Sequence, residues 1–364
     1  IWFLVDRFAD LDNNFRREFK FEGLKDGAVP QGMGTCSVKV NNITAEQYFF
    51  TSAYMANGSA SRIYVTGADS GYIGYVTLKN EDGSDYTGHC GGLATNGDYL
   101  WITGEDTVYV SKNTGDTTVT QDIVTRAKEN GSIQFTATFA ANCGADFCYY
   151  FRNPSSSALT TDRLYIGEFY RKGTYDEAHH YATTQKGYEN HAFMYEYTVS
   201  NSGEYGLQCL SGDTLNVKVP KIQKVFSIPE KIQGAAFSGR TNNGATDGIL
   251  LLSQSYSLAD SHVYSFDWKA LSSYSNTYQN VCGTQFKYEG VTTNGADYYE
   301  NPNVFFADLN NKEMLINDYT LPSMSEGMCT VGNRVYVLFE SGCKKYSLFV
   351  RERMKYVYSI IPRK

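Results

Sequence analysis

The sequence predicts an all-β protein folded as one β-propeller, and two observations lead to this prediction. Of the 364 residues, 30 are Tyr, 21 are Phe and 33 are Gly, whereas only 7 are Pro. Aromatic residues favour strands, and glycine favours the turns between them. In addition, a glycine turn followed by two apolar strands recurs along the chain, which is the pattern of a fold built from repeated antiparallel blades.

The repeat is clearest in two copies. One has Gln31-Gly32-Met33 with strands at 48–54 and 61–65, and the other has Gln233-Gly234-Ala235 with strands at 249–256 and 261–265. In both copies, the glycine precedes the Thr or Ser near the end of the first strand by 19 positions. A third copy starts at 326–328, with strands at 334–341 and 345–349, and a fourth starts at 91–94, with strands at 99–103 and 107–110. A fifth and more divergent copy starts at 145–147, with strands at 163–168 and 192–197.

Five copies predict five blades of four antiparallel strands, and six or seven blades stay open if a long gap between copies contains another one. We expect a single domain over residues 1–364, in which strands at 2–5 and 356–360 complete one blade and close the ring. A pair of β-sandwiches is the alternative, but it does not require a long repeat. The best helical segment is 120–128, and no long helix is expected.

Charge and hydropathy exclude several classes of partner. The net charge is −7 and the isoelectric point is about 5.4, which argues against a nucleic-acid surface because phosphate binding needs clustered Lys and Arg. The longest apolar run is 1–5, much shorter than a membrane-spanning helix, so we expect no membrane insertion.

The cysteines and glycosylation sequons favour an extracellular location. The eight cysteines could form four disulfides, and Cys143 with Cys148 closes the shortest loop and is the best candidate pair. Asn42, Asn57 and Asn130 each begin an N-x-[ST] sequon. Disulfides and glycans belong to exported proteins, whereas the alternative is a cytosolic protein with eight free thiols.

The repeat anchors carry a resemblance to a known group of proteins. Gln31-Gly32-Met33, the turn at 87–94, the segment at 233–237 and the run at 335–346 are similar to secreted microbial β-propeller proteins of unassigned activity. The resemblance covers most of residues 28–361. It implies a propeller fold and an exported location, and it supplies no catalytic residues.

Two sets of repeat-equivalent residues are candidates for a site at one mouth of the central channel. The turns at the anchors carry Gln31, His89, Asp146, Gln233 and Glu326, and the ends of the following strands carry Ser52, Thr103, Glu168, Gln254 and Glu340. Carboxyl groups that lie close together raise each other's pKa unless a cation is present, so calcium bound by Glu326 and Glu340 is one expectation. The alternative is that these polar groups bind backbone N–H groups and water in the channel.

These observations predict a secreted, non-catalytic binding or assembly module whose target is a glycan or a protein, including other copies of itself. The alternative is a polysaccharide lyase or hydrolase with its site at the channel mouth, for which His89 is the best candidate base. No G-x-S-x-G, H-E-x-x-H or phosphate-loop motif is present. An enzyme requires that His89 or a carboxyl pair converge on one open pocket, and this feature separates the two interpretations.

Overall fold

Five antiparallel sheets surround a central axis in the computed structural model, which describes residues 8–113, 115–142, 144–175, 182–183, 189–240, 247–274 and 286–364. The predicted five-bladed propeller with four-stranded blades is therefore confirmed. Each blade alone would leave its apolar faces in water, and packing the blades side by side around a ring buries them.

The strands are, in chain order, β1 (Arg16–Lys20), β2 (Ala28–Val38), β3 (Glu46–Met55), β4 (Arg62–Gly67), β5 (Gly71–Lys79), β6 (Gly92–Thr95), β7 (Tyr99–Gly104), β8 (Thr107–Lys112), β9 (Ser132–Gln134), β10 (Ala137–Ala140), β11 (Phe147–Phe151), β12 (Arg163–Gly167), β13 (Ala182–Thr183), β14 (Glu189–Asn190), β15 (Ala192–Thr198), β16 (Ile222–Ile228), β17 (Ile232–Ser238), β18 (Ile249–Gln254), β19 (Ser261–Asp267), β20 (Phe286–Thr293), β21 (Ala296–Glu300), β22 (Asn303–Phe306), β23 (Leu315–Leu321), β24 (Ser325–Val331), β25 (Arg334–Phe339) and β26 (Tyr356–Ile360). The α-helices are α1 (Ala9–Asn14), α2 (Val119–Ala127) and α3 (Trp268–Ser273), and short 3-10 turns cover Glu22–Asp26, Leu159–Thr161 and Lys344–Tyr346.

From the axis outward, blade 1 is β2-β3-β4-β5, blade 2 is β6-β7-β8-β10, blade 3 is β11-β12-β15-β16, blade 4 is β17-β18-β19-β23, and blade 5 is β24-β25-β26-β1. Strands β9 and β22 add in parallel to the outer edges of blades 1 and 3. The five repeat anchors lie at the starts of the innermost strands β2, β6, β11, β17 and β24. These strands contact one another in a closed cycle, so each copy of the repeat forms one blade.

The anchor glycines let neighbouring innermost strands approach closely. A Cβ added to Gly92 would lie 2.5 Å from the backbone N of Cys148, and one added to Gly32 would lie 2.6 Å from the N of Leu93. A Cβ on Gly234 would similarly lie 2.7 Å from the carbonyl O of Glu326. Only glycine leaves room for such backbone contact between blades, which explains why the repeat carries it.

The serine that begins the third strand of the repeat holds the next blade in place. In blade 1, the Ser61 hydroxyl donates to the carbonyl O of Gly88 at 2.6 Å, immediately before His89. In blade 4, the Ser261 hydroxyl accepts the N–H of Ser325 at 2.9 Å, at the start of β24. In both of the clearest copies, this serine therefore hydrogen-bonds to the segment that starts the next blade.

Blade 5 is completed by strands from the two ends of the described chain. Strand β1 pairs antiparallel with β26, with Arg16 opposite Ser359. The strand predicted at 2–5 lies outside the described residues. The strand predicted at 345–349 is wrong, because this segment begins in the 3-10 turn and continues as irregular chain, and the third strand of blade 5 is β26. The extent of the domain over residues 1–364 stays a prediction.

Apolar layers between the blades form the core. Trp101, Phe226 and Trp268 are among the largest fully buried side chains, and the clusters that contain them span neighbouring sheets. The helix expected at 120–128 is α2, whose start is fixed by a capping box between Thr118 and Gln121. Among the described residues, no helix is long and apolar enough to cross a membrane.

The disulfide prediction is wrong for the described cysteines. Six of them are free thiols, and the remaining two, Cys143 and Cys282, lie outside the described residues. Cys148 lies within β11, where its Sγ is buried and 4.0 Å from the carbonyl O of Trp101. The side chain therefore packs against blade 2, and the predicted pair of Cys148 with Cys143 involves a residue outside the described ones. Burial raises the pKa of the Cys148 thiol, and it raises that of Cys329 likewise.

We expect these buried thiols to react with iodoacetamide only after unfolding. The thiolate is the reactive form, and both burial and a raised pKa disfavour it. Mass spectrometry of protein alkylated with and without denaturant, and with no reductant added, checks this. The half-buried Cys209 should react first in the folded protein. A disulfide that includes Cys148 or Cys329 would contradict the expectation.

Candidate functional site

A pocket of about 840 Å³ opens at the mouth of the channel where the innermost strands begin. We call it the mouth pocket. Its polar floor is formed by residues at or just before the starts of the innermost strands and by the end of β25: Gln31, Asp146, Gln233, Glu326 and Glu340. Its aromatic rim is formed by half-buried or exposed side chains: Tyr54, Phe169, Tyr175, Tyr256, Tyr346 and Phe349.

Two carboxyl groups of blade 5 form the centre of the polar floor. Glu326 in β24 is buried, with an exposed fraction of 3%, and it hydrogen-bonds to the carboxyl group of Glu340. Glu340 follows β25 and is half-buried. The amide of Gln31, in the neighbouring blade 1, donates to Glu340 Oε2 at 2.5 Å and to the carbonyl O of Pro30 at 2.9 Å. The pair is therefore held in a fixed orientation by two blades.

Burial allows this pair to keep a proton at neutral pH. Burial raises the pKa of Glu326 well above its usual range, and the nearby charge and hydrogen bond of Glu340 raise it further. Burial also raises the pKa of Glu340 to about 7, against the opposing effects of Gln31, Lys345 and Glu326. Since two adjacent carboxylates repel each other, the protonated Glu326 donates to Glu340.

Asp146 reaches the polar floor from blade 3, and Glu168 supports it from behind. Asp146 Oδ2 accepts the backbone N–H of Phe169 at 2.6 Å. Glu168 is buried and its carboxylate accepts the N–H of Phe193 at 2.7 Å and the N–H of Gly144 at 3.2 Å. Glu168 thus anchors the turn before Asp146 and does not line the pocket.

His89 lies on one side of the aromatic rim. Its ring stacks on Tyr54 with centroids 5.0 Å apart. Partial removal from water inside the concave pocket lowers the pKa of His89, and the charge of Lys345 lowers it further, so the imidazole is neutral at pH 7. The Lys345 ammonium donates to the Tyr54 hydroxyl at 2.6 Å and lies 5.2 Å from the centre of the Tyr346 ring.

Blades 3 and 4 supply the opposite side of the rim. Phe169 contacts Tyr175 edge-on with centroids 5.5 Å apart, and it lies 6.2 Å from the ring of Tyr256. The Arg171 guanidinium lies 4.2 Å from the centre of the Tyr256 ring. Tyr175 is 54% exposed, and so this side presents aromatic surface to solvent.

The structure brings six of the seven candidate ligand-binding residues to the mouth pocket, and the exception is Glu168. Their role in binding stays a prediction. The aromatic rim is not predictable from the sequence, because with 30 Tyr in the chain no single tyrosine stands out. The sequons at Asn42, Asn57 and Asn130 all lie in exposed turns, and glycosylation of these residues stays a prediction.

The structure adds no third protein ligand to the calcium site predicted at Glu326 and Glu340, within the residues that it describes. Among the described residues, no group of three or more His, Cys, Asp or Glu side chains is arranged to hold a metal ion. Glu326 and Glu340 contact each other through a hydrogen bond, an arrangement that a shared proton stabilises.

A second pocket of about 510 Å³ occupies the opposite mouth of the channel. Its lining includes Met33, Leu93, Tyr149, Phe237 and Cys329, which lie further along the same innermost strands. The close backbone contacts at the anchor glycines lie between the two pockets.

Comparisons with known proteins find distant structural likenesses. No family model matches the chain, and no curated protein matches it. A GH62 hydrolase in complex with xylotriose is similar over 94% of both chains, with 10% identity and a TM-score of 0.42. The Dos1 propeller is similar over 96% of this chain and 76% of its own, with 8% identity and a TM-score of 0.32.

Sqt1 from Chaetomium thermophilum is similar over 89% of this chain, with 11% identity and a TM-score of 0.34. This chain spans 61% of the Sqt1 chain. These likenesses are too distant to carry a functional argument, which depends instead on the geometry of the mouth pocket.

Proposed function

We propose that the protein is an exported propeller that binds a glycan in the mouth pocket. The observation that carries this proposal is the combination of a polar floor and an aromatic rim within one pocket of about 840 Å³. Sugars have polar edges that hydrogen-bond to amides and carboxyl groups, and apolar faces that pack on aromatic rings. A pocket of this size encloses a ligand of a few sugar units.

The amide and carboxyl groups of the floor suit a ligand with many hydroxyl groups. Gln31 and Gln233 offer both donors and acceptors, and the Glu326–Glu340 pair offers acceptors next to a shared proton. The exposed rings of the rim would lose contact with water on binding. Tyr and Phe contribute large contact areas with little loss of side-chain entropy, so the rim supplies affinity and the floor supplies orientation.

We also propose that the protein is exported. The support for export comes from the sequons and the composition, because the six described cysteines are free and provide no disulfide evidence. Mass spectrometry of peptides that contain Asn42, Asn57 and Asn130, from protein made in a glycosylating secretory host, tests whether these exposed turns accept glycans.

We expect replacement of the rim to weaken glycan binding about tenfold per ring. Glycan-array screening followed by isothermal titration calorimetry would measure Phe349→Ala and Tyr256→Ala against the unmodified protein. Loss of a well-packed aromatic contact costs roughly 1–2 kcal/mol, or about a factor of ten in Kd. Phe349 is 68% exposed, so its removal should leave the fold intact.

The matched control is Tyr299→Ala. Tyr299 is 44% exposed on β21, which lies outside the mouth pocket, and its replacement should leave binding unchanged. If no glycan on the array binds, or if the two rim variants bind as tightly as the control, the proposed function is wrong.

A further inference from the structure

Carboxyl groups reach the mouth pocket from opposite sides of the ring. The Glu326–Glu340 pair belongs to blade 5, and Asp146 precedes the innermost strand of blade 3. Blades 3 and 5 are not neighbours in the cycle of innermost strands, since blade 4 separates them on one side and blades 1 and 2 on the other. A ligand in the pocket therefore lies between the pair and Asp146.

The two sides differ in chemistry. On one side, Glu340 is half-buried and lines the pocket, Gln31 fixes its orientation, and the protonated Glu326 donates a hydrogen bond to it. Because burial raises the pKa of Glu340 to about 7, Glu340 carries a proton of its own below that pH. On the other side, Asp146 accepts a backbone N–H, a contact that suits a carboxylate. One acid and one carboxylate that line the same pocket are the two groups that hydrolysis of a glycosidic bond requires.

We infer that the mouth pocket hydrolyses a glycosidic bond of its bound glycan, with Glu340 as general acid, Asp146 as general base and Glu326 as a positioning residue. This inference rests on the proposed glycan binding. Hydrolysis needs water as its only co-reactant and needs no metal or organic cofactor.

The proton and electron balance is complete with these groups. Glu340 donates its proton to the glycosidic oxygen, and the bond between that oxygen and the anomeric carbon breaks with the electron pair going to oxygen. A water molecule adds to the anomeric carbon and gives a proton to Asp146. Glu340 then regains a proton and Asp146 loses one to solvent, which restores the starting state.

The surroundings of Glu340 favour an acid that works near neutral pH. The titratable groups that face it are Glu326, Lys345, Tyr54, Tyr346 and Cys343. Burial raises the pKa of Glu340 to about 7, whereas Lys345 and the hydrogen bond from Glu326 limit this rise. A general acid is most effective when its pKa lies near the working pH.

The test incubates the unmodified protein with the glycan-array ligand that binds best and detects new reducing ends by mass spectrometry from pH 4 to pH 9. We expect cleavage that declines above pH 7. The variants E340Q and D146N should cleave at least about 100-fold more slowly while their Kd values for the same glycan change by less than tenfold. The variant E326Q should keep measurable activity and shift the alkaline decline, which a merely structural role would not do.

Infrared spectroscopy supplies a readout that needs no ligand. A carbonyl band of a protonated carboxyl group should persist at pH 7 in the unmodified protein and disappear in the E326Q/E340Q double variant. A glycan that binds tightly but remains intact at every pH overturns the inference and leaves the proposed function standing. Failure of all glycans to bind overturns both.

Discussion

Replacing Gly92 with alanine is expected to destabilise the propeller by about 3 kcal/mol. Gly92 lies at the start of β6, in the innermost strand of blade 2. An added Cβ would lie 2.5 Å from the backbone N of Cys148 and 2.6 Å from Thr103 Oγ1. The first contact is with the backbone of blade 3, which cannot move without shifting the whole innermost strand, and overpacking of this kind costs a few kcal/mol.

Urea denaturation with detection by tryptophan fluorescence measures the change. Gly115→Ala is the matched control, because Gly115 is exposed and its added Cβ would have no atom closer than 3.8 Å. We expect the control to change the free energy of unfolding by less than about 0.5 kcal/mol. Equal stability of the Gly92 and Gly115 variants would show that the anchor glycines do not hold neighbouring blades together.

The repeat was predictable because its signature residues have a similar physical task in the blades that carry them. The glycine permits contact between innermost strands, and the serine at Ser61 or Ser261 bonds to the next blade. The close glycine contact recurs in blades 1, 2, 4 and 5, and the serine bond joins blade 1 to blade 2 and blade 4 to blade 5. The residues that make these contacts therefore recur at similar spacing, and the blade number followed directly from counting them.

Features that occur once in the ring were not predictable from the repeat. The segment at 345–349 has the alternating apolar pattern of a strand, yet its side chains serve the mouth pocket, where Tyr346 and Phe349 join the rim. The parallel additions β9 and β22 fill the edges of single blades. These features depend on tertiary contacts within single blades, and such contacts produce no repeating pattern in the sequence.

The candidate site was partly predictable for the same reason. Gln31, His89, Gln233 and Glu326 occupy equivalent turns, and ring closure brings equivalent turns together. Glu168 belongs to the second set of equivalent positions, at the ends of the following strands, but its carboxylate accepts hydrogen bonds from two backbone N–H groups and does not line the pocket. Sequence position sets where a residue lies in the ring, whereas side-chain direction depends on hydrogen-bond partners that only the structure shows.

The Glu326–Glu340 pair should make the protein less stable at neutral and alkaline pH than at acid pH. In the unfolded chain, Glu340 loses its proton near its usual pKa of 4.5, whereas burial raises the folded-state pKa to about 7. Between these pH values the folded state binds more protons than the unfolded state. The free energy of unfolding therefore falls as the pH rises through this window, and Glu326 acts in the same direction.

Replacing Glu340 with glutamine should remove the part of this loss that Glu340 contributes, because the amide cannot ionise and can still accept the hydrogen bond from Gln31. The part that the buried Glu326 contributes remains. The rise in pKa from 4.5 to about 7 corresponds to about 3 kcal/mol, so E340Q should be more stable than the unmodified protein by roughly that amount at pH 8 and nearly equal to it at pH 4. Urea titrations at several pH values measure this difference.

Glu129→Gln is the control, since Glu129 is exposed at the end of α2 and its replacement should leave the pH dependence unchanged. If the stability of E340Q declines between pH 4.5 and pH 7 as steeply as that of the unmodified protein, the pKa of Glu340 is not raised in the folded state. A stabilising E340Q that also stops glycan cleavage would show why the pair is present. The Glu326–Glu340 pair lowers the free energy of unfolding at neutral pH. A buried acid that destabilises its own fold is expected where that acid takes part in a reaction.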